Sequence, residues 1–441
     1  PPGEPAETRV NDRRPIIQLL MTGDELMSGD TIDSNSATIA RQLAGRGLAP
    51  QRRVTLGDDR EALVEELRDL CRRADAVICN GGLGPTVDDL TAEIVAEVAG
   101  VGVAEHREAL AQLERWCAGR GLPLNAANRK QALLPRGCEL IENPVGSAPG
   151  FCLAVGRCLV LCTPGVPSEL RAMLPALEAR LGRQIPLPRR REQLRLQTFG
   201  LGESTAQQMI RDAHPDWPEA VSLSFRAGAP QLEIKLYVDS ARELPLRDRC
   251  RGYLEALFGD HILGEGDTRI AGRLIELARA AGSTLTCAES CTGGAIAAML
   301  TQIPGASEVF PGGFVTYSNA LKQSLLGVRA ETLAADGAVS EATVREMLAG
   351  ALERSGADLG VAVSGVAGPG GGSADKPVGL VWLAWGSAGH SETLCLHWPV
   401  ARALFQTMVA AAALDLLRRR IEGIDSLPHY AEQRRWRGSD A

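Results

Sequence analysis

The sequence predicts an α/β protein of three domains: a doubly wound domain at 15–184, a small α+β domain at 185–264 and a C-terminal α/β domain at 268–422. Strand-like apolar runs alternate with helical patterns through 15–184, which favours an open, mostly parallel sheet covered by helices on both faces. The segment QLEIKLYV at 231–238 alternates apolar and polar residues, as a half-buried strand does. A second alternation of strands and helices follows residue 268.

The composition is that of a globular chain too long for one core. It has 441 residues, of which 45% are hydrophobic, and 48 glycines. A formal net charge of −7 weighs against direct nucleic-acid binding. With neither an apolar run of membrane-spanning length nor a signal-peptide pattern, we expect no membrane contact and a cytoplasmic protein. Residues 1–14 and 425–441 are polar and lack a core pattern, so we predict a disordered leader and a disordered tail.

The eleven cysteines and six histidines show no zinc-site spacing, because neither a CxxC pair nor an HExxH motif occurs. Cys152, Cys158 and Cys162 lie within or beside apolar strand-like runs. We therefore predict buried, reduced thiols rather than metal ligands.

Two loops of the first domain follow predicted strands, where ligands bind in open α/β sheets. The first is Thr22-Gly23-Asp24-Glu25, and the second is NGGLGPTVDDLT at 80–91. Glycines in the second loop expose backbone amides, and its two aspartates add carboxylates where a helix begins. These groups suit a nucleotide phosphate bridged by a divalent cation. Tight turns and helix-dipole stabilisation explain the same residues equally well.

The middle domain follows a proline- and arginine-rich stretch at 182–193, interpreted as a solvated linker. The order of its elements is KH-like. The GLGE segment near 201 does not supply the GxxG loop that clamps RNA. We therefore interpret it as a spacer or a dimerisation domain.

The stretch TLTCAESCTGGAIAAML at 284–300 reads as a strand that turns into a helix. Ser290 lies in the turn, and Gly293 and Gly294 allow a substrate to approach the backbone. Amides at the start of a helix favour negative charge, so Ser290 is a candidate nucleophile facing an anion-stabilising cradle. A helix-capping serine is the alternative.

A nucleophilic serine needs a base, and no GxSxG motif surrounds Ser290. Downstream, FPGGFVTYSNALKQSLLGV at 310–328 places Tyr317 after a strand-like run and Lys322 on a short helix. A lysine whose pKa is lowered can remove the serine proton, with tyrosine relaying or orienting it. An exposed tyrosine and a solvated lysine are the alternative.

A loop with six glycines at 365–379 follows the next predicted strand. So much backbone freedom is costly unless the backbone must lie close to a ligand, and Lys376 offers a cation for an anionic one. A mobile hairpin is the alternative. An antiparallel strand pair and a helix at 402–420 complete the domain.

Several motifs in one order carry a close resemblance to the CinA family of competence/damage-inducible proteins. They are TGDELMSGDTIDSNS, NGGLGPTVDDLT, TPGVPSEL, AESCTGG, GGFVTYSNALK and VSGVAGPGGGSADKPVG, within residues 16–420. The resemblance implies a MoaB/MogA-like N-terminal domain and a C-terminal nicotinamide mononucleotide (NMN) deamidase that recycles pyridine nucleotides. It implies Ser290, Tyr317 and Lys322 as the catalytic set, without a metal or organic cofactor.

We predict further substrate contacts around the nucleophile, in the glycine-rich loop and at the last helix. These residues are Glu289, Cys291, Thr292, Gly293, Gly294, Gly368, Gly370, Lys376 and Arg402. The family commonly opens the last helix with Gly-Asp-Arg, whereas this chain has Val400-Ala401-Arg402. Only a contact through the arginine therefore transfers.

For the N-terminal domain the resemblance implies a metal-dependent ADP-ribose pyrophosphatase that yields AMP and ribose 5-phosphate. The predicted metal ligands are Asp24, Asp88 and Asp89. The predicted nucleotide site is Gly23, Asp24, Gly81, Gly82, Gly84, Thr86, Ser147, Gly165 and Glu169. The resemblance also implies a homodimer. Two other functions stay open: a molybdopterin- or nucleotide-binding scaffold with inert catalytic domains, linked to competence or DNA damage, and an amidase for another carboxamide.

Overall fold

The computed structural model of this chain describes residues 15–185, 192–436 and 438. The predicted leader at 1–14 and residues 186–191 of the predicted linker at 182–193 lie outside the described residues. The chain divides into two compact units, Pro1–Arg191 and Glu192–Ala441. Within the described ranges no helix combines the length and apolarity needed to cross a membrane.

Unit 1 contains the predicted doubly wound sheet, with strand order β2-β1-β3-β8-β7-β6. Strands β2, β1, β3 and β8 are parallel, and β7 and β6 are antiparallel additions. Strands β1, β3 and β8 are buried along their whole length, because helices cover both faces. The elements are β1 Ile17–Thr22, α1 Asp24–Ser28, α2 Asn35–Ala44, β2 Pro50–Leu56, α3 Arg60–Arg73, β3 Ala76–Asn80, α4 Thr91–Ala99, β4 Val103–Glu105, α5 Arg107–Ala118, α6 Ala126–Lys130, β5 Leu133–Pro135, β6 Glu139–Ile141, β7 Gly150–Val155, β8 Cys158–Thr163 and α7 Pro167–Gln184.

Two cores, one on each face of the sheet, hold unit 1 together. Helices α3, α4 and α5 cover one face through residues such as Leu67 and Ile94. Helices α2 and α7 cover the other through residues such as Ile39 and Met173. All eleven cysteines of the chain are free and buried, including Cys152, Cys158 and Cys162, for which we predicted buried thiols.

Unit 2 begins with the predicted α+β domain. Its antiparallel sheet has the order β10-β11-β9-β12, and α8 and α9 cover one face. In β11 the apolar residues of the alternation, from Leu232 to Val238, form the core with those helices. The elements are β9 Glu192–Phe199, α8 Glu203–Ala213, β10 Ser222–Ala227, β11 Gln231–Val238, α9 Leu244–Phe258 and β12 Ile262–Glu265.

The rest of unit 2 is built on a five-stranded sheet with the order β14-β13-β15-β16-β17. Strands β14, β13 and β15 are parallel, and β16 and β17 form the predicted antiparallel pair. Helices α10 and α15 lie on one face, and α14 lies on the other. The elements are α10 Ile270–Ala281, β13 Leu285–Glu289, α11 Ala295–Thr301, β14 Gly312–Val315, α12 Asn319–Leu326, α13 Ala330–Ala335, α14 Glu341–Ser355, β15 Leu359–Gly365, β16 Leu380–Ser387, β17 His390–His397, α15 Arg402–Glu422 and α16 His429–Arg434.

The prediction of a disordered tail from residue 425 is wrong for its described part, where α16 forms. Tyr430 is 3% exposed and Ala431 is fully buried. The Tyr430 ring packs against Phe199 and Trp398. These partners lie far away along the chain, so a local search for a hydrophobic period does not find them.

Two helical glycines offer a matched test of the packing in unit 2. A Cβ on Gly350 of α14 would lie 1.9 Å from the carbonyl oxygen of Leu326, whereas a Cβ on Gly252 of α9 would have no atom within 4 Å. We expect Gly350→Ala to lower the free energy of unfolding by about 1–3 kcal/mol, because α12 must move away. Gly252→Ala should raise it by about 0.5–1 kcal/mol through helix propensity. Urea denaturation of both variants measures the two changes, and equal effects would contradict the packing of α12 on α14.

Candidate active site

The predicted nucleophile turn is present between β13 and α11. Ser290 directly follows the buried strand β13, and Gly294 caps α11. Gly293 has a φ of +64° and Gly294 a φ of +104°, values that favour glycine. The turn thereby brings Ser290 to the carboxyl end of β13, at the centre of the parallel part of the sheet.

Ser290 is paired directly with Lys322. The Lys322 amine donates to Ser290 Oγ at 2.9 Å and to the Thr316 carbonyl oxygen at 2.8 Å. Lys322 is 1% exposed and Ser290 is 8% exposed. Burial lowers the pKa of Lys322 below its usual value, an effect that the nearby Cys291 thiol partly opposes. A neutral amine at hydrogen-bond distance can take the proton of the serine hydroxyl.

Tyr317 lies in a different position from the one expected for a proton relay. Its side chain is 59% exposed, and its hydroxyl accepts a hydrogen bond from Arg402 Nη2 at 2.8 Å. Arg402 Nη1 donates to the Gly368 carbonyl oxygen, also at 2.8 Å. The structure therefore joins Tyr317, Arg402 and the glycine-rich loop, and leaves the Ser290–Lys322 contact direct.

The prediction that Glu289 contacts substrate is wrong, because its side chain is fully buried. Its carboxylate accepts from the amides of Gly294 at 3.0 Å, Ile296 at 3.1 Å and Ala297 at 2.8 Å. A buried carboxylate needs donors, and the start of a helix supplies them. Glu289 thereby fixes the geometry of the turn and uses the amides that we predicted would face a ligand.

The backbone amides that are available to an anion therefore lie two residues earlier in the chain than we predicted. The Gly293 amide donates to the Ser290 carbonyl oxygen, and the Gly294 amide is bound by Glu289. The amides of Cys291 and Thr292 donate to no other residue in the described part of the chain. The amide that follows a nucleophile is a common oxyanion donor, so these two are the better candidates.

Cys291 and Thr292 contribute through their backbone rather than through a reactive thiol. Burial raises the pKa of Cys291 to about 12, so this thiol is not a nucleophile at neutral pH. Its carbonyl oxygen accepts from Gln406 Nε2 at 2.9 Å. The hydroxyl oxygen of Thr292 is buried without a hydrogen-bond partner among the described residues, as is that of Thr316.

Sequence analysis missed two supporting residues. Gln406 lies one helical turn after Arg402 on α15, a spacing that places both on the same face and could have revealed it. The carbonyl oxygen of Thr316, which holds the lysine, gives no sequence signal because it belongs to the backbone.

The three predicted substrate contacts in the glycine-rich loop differ in their burial and in their hydrogen-bond partners. Gly368 is buried and binds Arg402, whereas Gly370 is exposed with open space where a Cβ would lie. The Lys376 amine donates to the Asp336 carbonyl oxygen at 2.6 Å. Lys376 thus ties the loop to a neighbouring loop through one of its three donors.

In unit 1 a cleft of about 480 Å³ lies at the carboxyl ends of β1, β3 and β8. Of the predicted N-terminal site residues, two are outside its lining: Asp24 and Thr86. Those that line it are Gly23, Gly81, Gly82, Gly84, Asp88, Asp89, Ser147, Gly165 and Glu169. Burial raises the pKa of Glu169, which accepts a hydrogen bond from Asn143. The strand-end rule therefore located this cleft correctly.

The predicted metal ligands are not gathered into a finished metal site. Among the described residues no group of three or more histidine, cysteine, aspartate or glutamate side chains has metal-binding spacing. Asp89 accepts from the amide and hydroxyl of Thr86 at 2.8 and 2.5 Å. Asp24 accepts from the Asp58 amide at 3.0 Å.

Asp58 is the acidic residue that sequence analysis missed in this cleft. Burial raises its pKa, and the charges of Asp24, Glu25 and Asp88 raise it further. Asp58 follows β2, the parallel neighbour of β1, so the strand-end rule could have identified it. Glu25, Asp58 and Asp88 line the cleft and supply the carboxylate oxygens that a hard divalent cation takes, but without the spacing of a formed metal site.

Two models of known protein families match the chain, one within each compact unit. A family model described as "Probable molybdopterin binding domain" matches residues 18–182, and one described as "CinA C-terminal domain" matches residues 267–421. The chain therefore combines a MoaB/MogA-like domain with a CinA C-terminal domain.

Curated relatives match this chain over nearly their whole length. A CinA-like protein from Colwellia psychrerythraea is 46% identical over 428 residues, which is 95% of this chain and 98% of that protein. A CinA-like protein from Anaeromyxobacter sp. (strain K) is 39% identical over 91% of this chain and 98% of that protein. The chain belongs to the family of CinA-like proteins.

Solved structures match about a third of the chain. One is a competence/damage-inducible protein from Agrobacterium tumefaciens, 44% identical over 35% of this chain and 93% of that chain, with a TM-score of 0.34. Another is a competence-damaged protein (CinA) superfamily member from Klebsiella pneumoniae, 39% identical over 35% of this chain and 96% of that chain, with a TM-score of 0.34.

The lowered pKa of Lys322 predicts how the reactivity of Ser290 depends on pH. A protonated lysine cannot accept the serine proton, so labelling of Ser290 by a fluorophosphonate should fall as pH drops through the pKa of Lys322. The midpoint should lie below the 10.5 of an ordinary lysine. Labelling rates measured by mass spectrometry between about pH 6 and pH 11 give this midpoint, because an ordinary lysine titrates near the upper end of that range. Lys322→Arg should remove the labelling, and a midpoint at or above the ordinary value would exclude Lys322 as the base.

Proposed function

We propose that the C-terminal domain is an amidohydrolase that converts NMN to nicotinate mononucleotide and ammonia. The observation that carries the proposal is the buried contact between Ser290 and Lys322, with a lysine whose pKa is lowered. A serine activated by a neutral lysine suits acyl transfer from an amide without a metal. The choice of NMN rests on the resemblance to the CinA family.

The first half of the reaction forms an acyl-enzyme. Neutral Lys322 removes the Ser290 proton, and Oγ attacks the carboxamide carbon of the pyridinium ring. The amides of Cys291 and Thr292 stabilise the oxyanion, where one such donor typically contributes about 3 kcal/mol. Lys322 then passes its proton to the departing nitrogen, and ammonia leaves.

The second half returns the enzyme to its starting state. Lys322, neutral again, takes a proton from water, whose oxygen attacks the acyl carbon. The C–O bond to Ser290 breaks, Ser290 recovers a proton from Lys322, and nicotinate mononucleotide departs. The same amine therefore acts twice as a base and twice as an acid.

The guanidinium of Arg402, one helical turn before Gln406 on α15, suits the phosphate of the nucleotide. Two of its nitrogens are used by Gly368 and Tyr317, which fixes the plane of the guanidinium. A guanidinium that is held in this way loses little side-chain entropy when an anion binds. Tyr317 is exposed beside it and offers its ring and hydroxyl to the substrate.

Turnover of NMN by the chelator-treated protein tests this proposal. We expect stoichiometric ammonia and nicotinate mononucleotide from the wild type, and a loss of at least about 10³-fold in kcat for Ser290→Ala and Lys322→Met. Ser307→Ala, an exposed serine of the same domain, is the matched control and should keep full activity. If Ser290→Ala retains turnover, another residue is the nucleophile. If wild-type protein acts on other carboxamides and not on NMN, the proposed substrate is wrong.

A second activity is favoured for unit 1 by the carboxylates around Asp58. We propose that this cleft hydrolyses the pyrophosphate of ADP-ribose to AMP and ribose 5-phosphate with a divalent cation. Glu25, Asp58 and Asp88, which line the cleft, would supply oxygen ligands to the cation, and the cation would neutralise phosphate charge. The amide of Gly82, just after the end of β3, would face the phosphates.

Product analysis with ADP-ribose and Mg²⁺, Mn²⁺ or Co²⁺ tests the second activity. Asp58→Asn should reduce AMP formation by at least about 10²-fold, because it removes one anionic ligand. Ser290→Ala should leave AMP formation unchanged, which separates the two sites. If the wild type forms neither AMP nor nicotinate mononucleotide but binds the nucleotides in calorimetry, the scaffold alternative is the better description of this chain.

A further inference from the structure

The segment 427–436, here called the C-terminal clamp, packs against parts of unit 2 that are distant in sequence. The Tyr430 ring stacks on Trp398 with centroids 5.9 Å apart, and meets Phe199 edge-on at 5.1 Å. The Tyr430 hydroxyl donates to Asp415 Oδ2 at 3.1 Å. The clamp is therefore fastened to β9, to α15 and to the end of β17.

The second half of the clamp extends this contact along β17. The Arg434 guanidinium lies over the Trp398 ring, 5.1 Å from its centroid. Arg435 forms an antiparallel bridge with Leu396, and the Trp436 amide donates to the Cys395 carbonyl oxygen at 3.0 Å. Trp398 is consequently 3% exposed, with the clamp covering it.

Trp398 connects the clamp to the glycine-rich loop. Its amide donates to the Gly379 carbonyl oxygen at 2.8 Å, and the Gly379 amide donates to the Val366 carbonyl oxygen at 2.7 Å. His397 Nε2 lies 3.1 Å from the Val378 carbonyl oxygen. These bonds fix where the loop begins and ends.

Four residues after Trp398 the chain reaches Arg402, which binds the carbonyl oxygen of Gly368 inside the same loop. A contiguous set of contacts therefore runs from Tyr430 through Trp398 to both the glycine-rich loop and Arg402. In the described structure no hydrogen bond, ion pair or ring contact joins the clamp to Ser290 or Lys322.

The clamp rests on a buried ion cluster that includes the middle domain. Asp415 accepts from Arg418 and Arg419, and Arg419 also pairs with Asp260 at 2.5 Å. Buried pairs of this kind are costly to break because each charge needs its partner. The surface under Tyr430 is thus built jointly by the middle domain and α15, so the middle domain supports the clamp.

We propose that the C-terminal clamp, through Tyr430 and Trp398, positions Arg402 and the glycine-rich loop for the nucleotide part of the substrate. The clamp does not take part in the chemistry at Ser290. Tyr430 is thus a positioning residue. For the identity of the ligand, the inference rests on the proposed deamidase function.

Hydrogen exchange tests the positioning in the full-length protein without any substrate. In Tyr430→Ala we expect amides of 366–379 and 398–402 to exchange at least about tenfold faster, because their local opening becomes easier. Peptides covering 285–300 should exchange as in the wild type. Glu432→Ala, an exposed residue of the same helix, is the matched control and should change neither region. Tyr430→Phe keeps the ring and should keep most of the protection.

Kinetics with NMN test the consequence for binding. We expect Tyr430→Ala to raise KM by about tenfold while kcat and the fluorophosphonate labelling of Ser290 change by less than about twofold. In an Arg402→Ala background the same substitution should add little, because the two residues act through one contact chain.

Three results would overturn the inference: unchanged exchange of 366–379 in Tyr430→Ala, faster exchange of 285–300 to the same degree, or effects of Tyr430→Ala and Arg402→Ala that simply add. Failure of the wild type to act on NMN is a different outcome. It removes the proposed substrate, and the exchange experiment still decides whether the clamp holds the loop.

Discussion

An amine buried without a carboxylate partner is the constraint on which the C-terminal site depends. Among the residues that the structure describes, Lys322 has only a hydroxyl and a backbone carbonyl oxygen as hydrogen-bond partners. Burying a charged ammonium in that way is costly, so the surroundings favour the neutral form. The α12 helix, the Thr316 carbonyl and the turn at Ser290 must all be in place to keep this amine dry and next to Oγ. The fold of the domain thereby creates the base.

The neighbouring Glu289 shows the complementary solution for a buried anion. Its carboxylate is satisfied by three amides at the start of α11. The amides at the start of a helix generally attract ligand anions. Here they bind the Glu289 side chain instead and hold the nucleophile turn in place. The donors left for the reaction are the two amides nearest to Ser290. A single buried carboxylate therefore decides which part of the turn can meet an oxyanion.

Both halves of the chain place their candidate sites by one rule, and this rule is readable from sequence. Ser290 follows β13, and the loops at Gly23 and Gly81 follow β1 and β3, so each lies where parallel strands end. The same rule also reaches Asp58, which follows β2. What it does not supply is the direction of each side chain. Asp89 turns towards Thr86, and Lys376 turns towards Asp336.

The sequence by itself determined the α/β architecture, the strand-to-helix turn at Ser290 and the residue types that the chemistry needs. Those features arise from local patterns: apolar period, glycine positions and the order of motifs. Only the tertiary structure decided that Lys322 contacts Ser290 directly, that Tyr317 pairs with Arg402 and that Glu289 is buried in the nucleophile turn. It also decided that residues near 430 fold onto Phe199 and Trp398. These outcomes depend on contacts between residues far apart in the chain, and on which polar groups burial leaves without water.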